Sequence, residues 1–488
     1  MKLKSIVVTF LLLIGVIFTS GAQNISPDKK IVYKVIEGDS LSLHVFQPKF
    51  SKKPTAAIVF FFGGGWVSGS PEQFYQQSKY FASRGILAIA AEYRVKNAHG
   101  TTPFDCVEDG KSAIRWVREH AKELNINPDR IVASGGSAGG HIAVSTALIE
   151  GFENKNENVA VSSVPNVLVA YNPVLDTSDK GYGHKSVVGR ETEISPVHHI
   201  KKELPPMLLF HGKDDNTVPF ENATRFTNLM KEAGNSCKLV AVDNVGHGFF
   251  NGDFFRKGSG NKYFNLTVYD TDVFLKKLGY LKGKPTLSRD LKQVSCIGDS
   301  NTKGKYPQFL QEYLGDSFEV KKFGKGGATL LDGTNFPYYK TDEYKSSLKF
   351  TPDIVLIMFG TNDANIKWCL DKTRKTKFVG SPQEEFKSEY IKLINTYKEK
   401  NPKAEIYILS PLPVWVAKNP EKELIAERNE QLNKWVIPTV KEIAQEQNLP
   451  LIDVHELMKN GFKYTIDGVH LTSEGYKVLA KKIKNKIR

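Results

Sequence analysis

Residues 135–139 read Gly-Gly-Ser-Ala-Gly, which places Ser137 in a segment suited to a reactive hydroxyl. The apolar residues 130–134 precede it with the pattern of a buried strand, and residues 140–148 follow with the composition of a helix. A sharp strand-to-helix turn needs glycine on both sides and lifts the serine oxygen above the sheet. The pattern predicts a nucleophilic serine, although this segment alone also fits a Gly/Ser-rich loop without chemistry.

Three further segments offer partners for this serine. An apolar run ends in Phe62 and a glycine triplet at residues 63–65, where backbone N–H groups can approach a ligand closely. Asp215 and His247 follow in the runs HGKDDNTVP and GHG. A histidine can take the serine proton and a carboxylate can orient it. These segments offer Ser137 a base, His247, and an acid, Asp214 or Asp215, and the glycine triplet offers backbone N–H donors.

The chain order Ser, Asp, His and the glycine triplet make residues 54–250 resemble the α/β-hydrolases, most closely the esterase and lipase branch with an HGGG-type oxyanion loop. Within that branch, this part of the chain looks like bacterial acetyl xylan and feruloyl esterases. Phe62 stands where HGGG has histidine, which leaves the support of that loop open. The resemblance implies Ser137, Asp215 and His247 as catalytic residues, with Gly64, Gly65 and Ala138 as oxyanion donors. Asp215 occupies the family position in H-G-x-x-D-x-x-V, and the neighbouring Asp214 remains the alternative acid.

A second set of chemically suited residues follows a basic Gly/Pro segment. Ser300 closes an apolar strand in Cys-Ile-Gly-Asp-Ser, and Asp467 lies three residues before His470. That spacing lets a short turn hold the carboxylate against one imidazole nitrogen while the other faces the serine. Between them lie the blocks FGKGGAT, with Gly327, and GTND, with Asn362.

These four blocks in order make residues 291–488 resemble the SGNH, or GDSL, hydrolases. The resemblance implies Ser300, Asp467 and His470 as catalytic residues. It also implies Gly327 and Asn362 as oxyanion donors, with Gly326 as an alternative register for the first. Within this group, the second domain looks like carbohydrate deacetylases of the sialate O-acetylesterase type.

Apolar strands alternate with helical segments in both halves, which predicts the α/β class with two domains. The first, residues 25–281, is expected to have the α/β-hydrolase fold, with helices on both faces of a mostly parallel sheet. Residues 282–288 are expected to be a linker, and residues 289–488 a flavodoxin-like α/β/α sandwich. We expect one core helix at residues 106–124 and a final strand at residues 451–454.

The N-terminus has a basic start, an apolar run of about thirteen residues and small residues up to Ala22. This is typical of a signal peptide at residues 1–22, because a spanning helix needs about twenty apolar residues. A secreted or periplasmic enzyme is expected, and an uncleaved membrane anchor is the alternative.

The formal net charge is +14 and is spread along the chain, and no nucleic-acid-binding motif is present. Such a surface could attract an acidic polymer or be an ordinary solvated surface. The four cysteines have no metal-site spacing, and Cys296 is expected to be a buried free thiol. No cofactor and no metal are expected.

Together these features predict a bifunctional serine esterase that removes acetyl, and on some substrates feruloyl, groups from an acylated polysaccharide. Two alternatives remain open at the level of the sequence. The first domain could be a peptidase of the prolyl-peptidase kind, which shares the fold and triad. One domain could instead be a binding module without activity.

Overall fold

The computed structural model describes residues 25–36, 38–49, 53–365, 381–416 and 422–487. The predicted signal peptide and Cys369 lie outside these residues. Among the helices described, none is both long and apolar enough to cross a membrane.

The first domain is built on an eight-stranded sheet. The strands are β1 Lys29–Ile36, β2 Asp39–Phe46, β3 Thr55–Phe61, β4 Leu87–Ala91, β5 Ile126–Gly136, β6 Val167–Tyr171, β7 Met207–Gly212 and β8 Cys237–Val242. Their order in the sheet is β1-β2-β4-β3-β5-β6-β7-β8. The first two strands form an antiparallel hairpin, and β2 is antiparallel to β4, whereas all other neighbours are parallel.

Helices cover both faces of this sheet, and each face has its own cluster of buried apolar side chains. Alternate residues of the central strands point to opposite faces and feed the two clusters in turn. The helices are Tyr75–Ser83, Lys96–His99, Pro103–Glu119, Ala138–Leu148, Phe220–Glu232 and Lys262–Lys277.

The second domain has a five-stranded parallel sheet. The strands are β9 Lys292–Gly298, β10 Phe318–Gly324, β11 Ile354–Met358, β12 Glu405–Leu409 and β13 Leu451–Ile452. Their order in the sheet is β10-β9-β11-β12-β13. This is the flavodoxin-like order expected from the sequence. Two apolar clusters again lie on the two faces. Its helices are Ser300–Lys303, Tyr306–Leu314, Asp342–Ser347, Pro382–Lys400, Lys422–Gln431, Ile437–Glu446, Val454–Met458 and Ser473–Lys484, with a π-helical turn at Leu432–Val436.

Two predicted elements have other bounds in the structure. The helix expected at residues 106–124 spans Pro103–Glu119, and it begins earlier because Thr102 and Asp105 form a capping box and proline occupies the first turn. The last strand ends at Ile452 rather than at residue 454, because Asp453 caps the helix that begins at Val454.

The carboxyl ends of parallel strands meet at one edge of a sheet, and the predicted site residues follow those ends. Ser137 follows β5, Asp215 follows β7 and His247 follows β8. In the second domain, Ser300 follows β9 and Asn362 follows β11. The topology therefore brings together residues that are more than a hundred positions apart in the chain.

Candidate active sites

Ser137 occupies the tight turn between β5 and the helix Ala138–Leu148, with φ 55° and ψ −121°. This backbone conformation is rare for a residue other than glycine and is held by surrounding contacts. The amide of Ser137 donates to the carbonyl of Tyr171 over 2.9 Å. A Cβ at Gly139 would lie 2.1 Å from the carbonyl oxygen of Phe61, so the turn packs too closely for any other residue there. Ser137 therefore lies in the sharp strand-to-helix turn that the sequence predicts.

The structure brings Ser137, His247 and Asp215 into one hydrogen-bonded chain. The His247 Nε2 atom lies 2.9 Å from Ser137 Oγ, and its Nδ1 atom lies 2.8 Å from Asp215 Oδ2. Asp215 Oδ1 accepts the amides of Thr217 and Val218, each over 2.9 Å. The histidine can take the serine proton while the aspartate fixes its orientation.

The environment of Asp215 keeps its carboxylate ionised. Burial of the side chain acts to raise its pKa, but hydrogen bonds from His211, His247 and the Val218 amide outweigh burial and hold the pKa well below its ordinary value. The negative charge is therefore present when the imidazole becomes protonated. The neighbouring Asp214 is exposed and lies outside this hydrogen-bonded chain.

The predicted oxyanion donors surround the same serine. Gly64 has φ +139°, and a Cβ there would lie 1.8 Å from the carbonyl oxygen of Ser68. Among the described residues, the amides of Gly64, Gly65 and Ala138 have no hydrogen-bond acceptor. Gly64, Gly65, Ser137 and His247 line an open cleft of about 390 Å³. Backbone N–H groups placed in this way can stabilise a tetrahedral oxyanion.

Phe62 packs against another aromatic side chain at the start of the oxyanion loop. Its ring stacks on Tyr93 with a centroid separation of 4.1 Å, and the Tyr93 hydroxyl donates to the Phe62 carbonyl over 2.7 Å. Both side chains are buried. Aromatic stacking and one buried hydrogen bond therefore hold the loop where the HGGG-type sequence would offer a histidine.

A second support for the loop comes from Gln73 and Asn251, which the sequence analysis did not identify. Gln73 Oε1 accepts the amide of Gly63 over 2.6 Å, and its Nε2 atom donates to Asn251 Oδ1 over 3.2 Å. Asn251 Nδ2 donates to the carbonyl of Gly248 over 2.8 Å. Asn172 accepts the Gly248 amide from the other side over 3.1 Å. These side chains connect the oxyanion loop to the histidine loop, and no motif marks them.

Replacing Gln73 with alanine is expected to lower kcat/KM of the first site about tenfold, because the Gly63 amide loses its acceptor and the oxyanion loop can shift. The measurement is ester hydrolysis by the Gln73→Ala variant in a Ser300→Ala background. Gln47→Ala is the matched control, since Gln47 is exposed on the same domain. Equal rates for the two variants would contradict a supporting role for Gln73.

Ser300, His470 and Asp467 form a second hydrogen-bonded chain. His470 Nε2 lies 2.9 Å from Ser300 Oγ, and His470 Nδ1 lies 2.7 Å from Asp467 Oδ2. Asp467 Oδ1 accepts the amides of Val469 and His470. Burial acts to raise the pKa of Asp467, but the hydrogen bonds from His470 and Val469 lower it overall. This acid is 41% exposed, whereas the side chain of Asp215 is fully buried.

The predicted oxyanion donors of the second site lie on two adjoining loops. Asn362 Nδ2 donates to the carbonyl of Ala328 over 3.0 Å, which ties the β11 loop to the loop that carries Gly327. Asp363 Oδ1 accepts the amides of Leu330 and Leu331, over 2.8 and 3.1 Å. The loop containing Gly327 is thus fixed by Asn362 and Asp363, in the loop that follows β11.

Burial raises the pKa of two carboxyl groups beside the second site. It raises the pKa of Asp299 to about 6 and that of Asp363 to about 7. The unfolded chain releases the Asp363 proton near its ordinary pKa, whereas the folded chain keeps it until about pH 7. The raised pKa of Asp363 therefore stabilises the fold fully at low pH. This stabilisation is lost as pH rises from the ordinary pKa of 3.8 to the folded pKa of about 7.

Asp363→Asn is expected to be increasingly stabilising, relative to the wild type, as pH rises from about 5 to about 8, because asparagine mimics the protonated acid and cannot ionise. The gap in melting temperature of the second domain should widen by roughly 5 °C. Thermal unfolding followed by circular dichroism measures it. Asp342→Asn is the control, since the side chain of Asp342 is 94% exposed. A gap for Asp363→Asn that does not change with pH would contradict the shifted pKa.

Cys106, Cys237 and Cys296 are buried free thiols, as expected for Cys296. Within the described part of the chain, no group of three or more His, Cys, Asp or Glu side chains is arranged to hold a metal ion.

Two family models match the chain in succession. The BD-FAE model matches residues 43–230, and the GDSL-like Lipase/Acylhydrolase model matches residues 294–483. Esterase 2 of Thermogutta terrifontis, in its apo form, is 45% identical with a TM-score of 0.51, over 54% of this chain and 98% of that one. The chain belongs to the α/β-hydrolase esterases, and a GDSL hydrolase domain follows its esterase domain. It is a serine carboxylic ester hydrolase.

One relative of this hydrolase extends over both domains. An acetylxylan esterase of Xylanibacter ruminicola is 28% identical over 509 residues, which cover 96% of this chain and 98% of that protein. A probable isoprenylcysteine alpha-carbonyl methylesterase of Arabidopsis thaliana is 28% identical over 49% of this chain and 55% of its own length. A further structure shows the Thermogutta terrifontis esterase phosphorylated by paraoxon.

Proposed function

We propose that this hydrolase removes acetyl groups from an acylated polysaccharide and has an independent Ser–His–Asp site in each domain. The observation that supports the proposal best is the similarity to an acetylxylan esterase over 96% of the chain, both domains included. The geometry supports it too, since each domain holds a serine 2.9 Å from a carboxylate-bound histidine.

In the proposed mechanism, His247 takes the proton of Ser137 as the serine oxygen attacks the acyl carbonyl. The amides of Gly64, Gly65 and Ala138 stabilise the tetrahedral oxyanion. The protonated histidine then gives its proton to the departing sugar oxygen, which leaves an acyl-serine. Water, deprotonated by the same histidine, attacks the acyl carbon and releases the acid and the free serine.

The second site would repeat these steps with Ser300, His470 and Asp467, and with Gly327 and Asn362 as oxyanion donors. Two esterases on one chain suit a polymer with several ester groups, because binding at one site raises the local substrate concentration at the other. The open cleft around Ser137 is compatible with a polymeric substrate. We further propose a secreted or periplasmic enzyme, on the signal-peptide pattern of residues 1–22.

The test is release of acetate from acetylated xylan and of ferulate from feruloylated arabinoxylan. The wild type is compared with Ser137→Ala, Ser300→Ala and the double variant. Each single variant is expected to lose part of the ester hydrolysis, and the double variant all of it. Substantial acetate release by the double variant would contradict the proposal. Cleavage of peptide amides but not of esters by the Ser300→Ala variant would contradict the proposed role of the first site.

A further inference from the structure

Residues 253–261 follow the loop of the catalytic histidine and form one wall of the first cleft. Phe255 and Arg256 line that cleft together with Ser137 and His247. Phe255 is a large apolar residue, yet it is 43% exposed to water. Arg256 Nη1 donates to the carbonyl of His247 over 3.1 Å, so its guanidinium lies directly beside the catalytic histidine.

The chemistry of this wall is suited to a sugar. An exposed aromatic ring in a cleft offers an apolar face against which the C–H face of a sugar ring can pack. Arg256 has five N–H donors, of which the His247 carbonyl accepts from one nitrogen. No carboxylate of the described residues lies within ion-pair distance of its guanidinium. Its remaining donors can therefore bind sugar hydroxyl or carboxylate oxygens.

The second domain holds both ends of this segment. Glu319 on β10 accepts the Asn261 amide over 2.7 Å and the Asn261 side-chain amide over 3.0 Å. Lys321, two residues further along β10, donates to Asp253 over 2.5 Å. Because residues 319 and 321 point to the same face of the strand, the two contacts act as one clamp.

The clamp is only partly exposed to water. The side chain of Glu319 is 15% exposed, and that of Lys321 is 22% exposed. Asp253 Oδ1 also accepts the amide of Gly258 over 2.8 Å, which closes the turn between the two anchor points. The path from β10 to the carbonyl of His247 therefore runs through one hydrogen-bonded segment.

We propose that residues 253–261 are the sugar-binding wall of the first active site, with Phe255 and Arg256 as contact residues, and that β10 of the second domain holds this wall in position. The inference rests on the proposed function, because it gives the first site a saccharide substrate. It makes the second domain part of the first site as well as an enzyme in its own right. Glu319 and Lys321 are positioning residues, since they reach the substrate only through the segment.

The first test compares acetylated xylo-oligosaccharides with 4-nitrophenyl acetate, both hydrolysed by full-length protein in a Ser300→Ala background. Phe255→Ala is expected to lower the ratio of kcat/KM for the oligosaccharide to that for the small ester by about three- to tenfold. Phe255→Trp should keep the ratio close to that of the parent, because the larger ring keeps the apolar face. Phe462→Ala is the matched control, since Phe462 is 44% exposed on the second domain. An unchanged ratio in Phe255→Ala would overturn the proposal.

The second test addresses the clamp in the same background. Lys321→Met should raise KM for the oligosaccharide about threefold or more, with a smaller change in kcat, because the wall loses one of its two anchors on β10. Lys321→Arg should keep KM close to that of the parent, since it retains the ion pair. The control Lys387→Gln removes an ion-pair partner within the second domain, away from the clamp. An unchanged KM in Lys321→Met would exclude positioning by β10.

Failure of this inference can be told apart from failure of the proposed function. Adding Ser137→Ala to the Ser300→Ala background must abolish acetate release from the oligosaccharide if the first site has the proposed activity. Retained release would refute that activity whatever Phe255→Ala does. Loss of release together with an unchanged Phe255→Ala ratio would refute the sugar-binding wall alone.

Discussion

Asp215→Asn is expected to lower kcat of the first site about 10⁴-fold, measured as ester hydrolysis in a Ser300→Ala background. Asparagine at this position cannot stabilise the imidazolium of His247, and its amide favours the wrong tautomer of the ring. The effect should be large because Asp215 is buried and its pKa is held well below the ordinary value. The negative charge that is lost is therefore neither screened by water nor replaced by a neighbour.

Asp214 provides a matched control one residue away. Its side chain is exposed, so Asp214→Asn removes an equal charge without touching the hydrogen bond to His247. Its kcat should stay within about twofold of the parent, as for most surface substitutions. Loss of activity in Asp214→Asn with normal activity in Asp215→Asn would place the acid in the wrong register and contradict the assigned triad.

Asn362→Ala should lower kcat of the second site about 10²- to 10³-fold, measured in a Ser137→Ala background. The substitution removes a proposed side-chain donor to the oxyanion. It also removes the hydrogen bond to the Ala328 carbonyl, which ties the neighbouring donor loop to β11. Both losses act on the transition state more than on the bound substrate, so KM should change less than kcat.

The control for this variant is Asn433→Ala. Asn433 is exposed, and its side-chain hydrogen bonds are to Asn429, one turn earlier. Its activity should equal that of the parent. Near-normal turnover in Asn362→Ala would remove Asn362 from the oxyanion hole and leave the second site without its proposed side-chain donor.

The triads could be predicted from the sequence because each lies in a short motif whose residues determine a local shape. Glycine at position 139 is required by the close approach of the Phe61 carbonyl. Asp467 and His470 meet because three residues form one turn. The central strands were predicted well for a similar reason, since continuous apolar runs such as β6 and β11 are buried on both faces.

The residues that support the first site could not be predicted in this way. Gln73 and Asn251 are 178 positions apart and meet only in the folded domain. Neither lies in a motif, and a glutamine before a helix is ordinary in sequence. The role of Phe62 could not be predicted either. Its support of the oxyanion loop depends on its contact with Tyr93, which follows a different strand. Helix ends were predicted less well than strands, because single capping side chains at Thr102 and Asp453 decide them.

We propose that one chain carries two separate serine nucleophiles. Incubation with paraoxon, followed by intact-mass spectrometry, counts them directly, because an activated serine attacks phosphorus, keeps the diethylphosphoryl group and releases 4-nitrophenol. We expect two adducts on the wild type, one on each of Ser137→Ala and Ser300→Ala, and none on the double variant. A single adduct on the wild type, or an adduct that persists on the double variant, would contradict the assignment of one nucleophile to each domain.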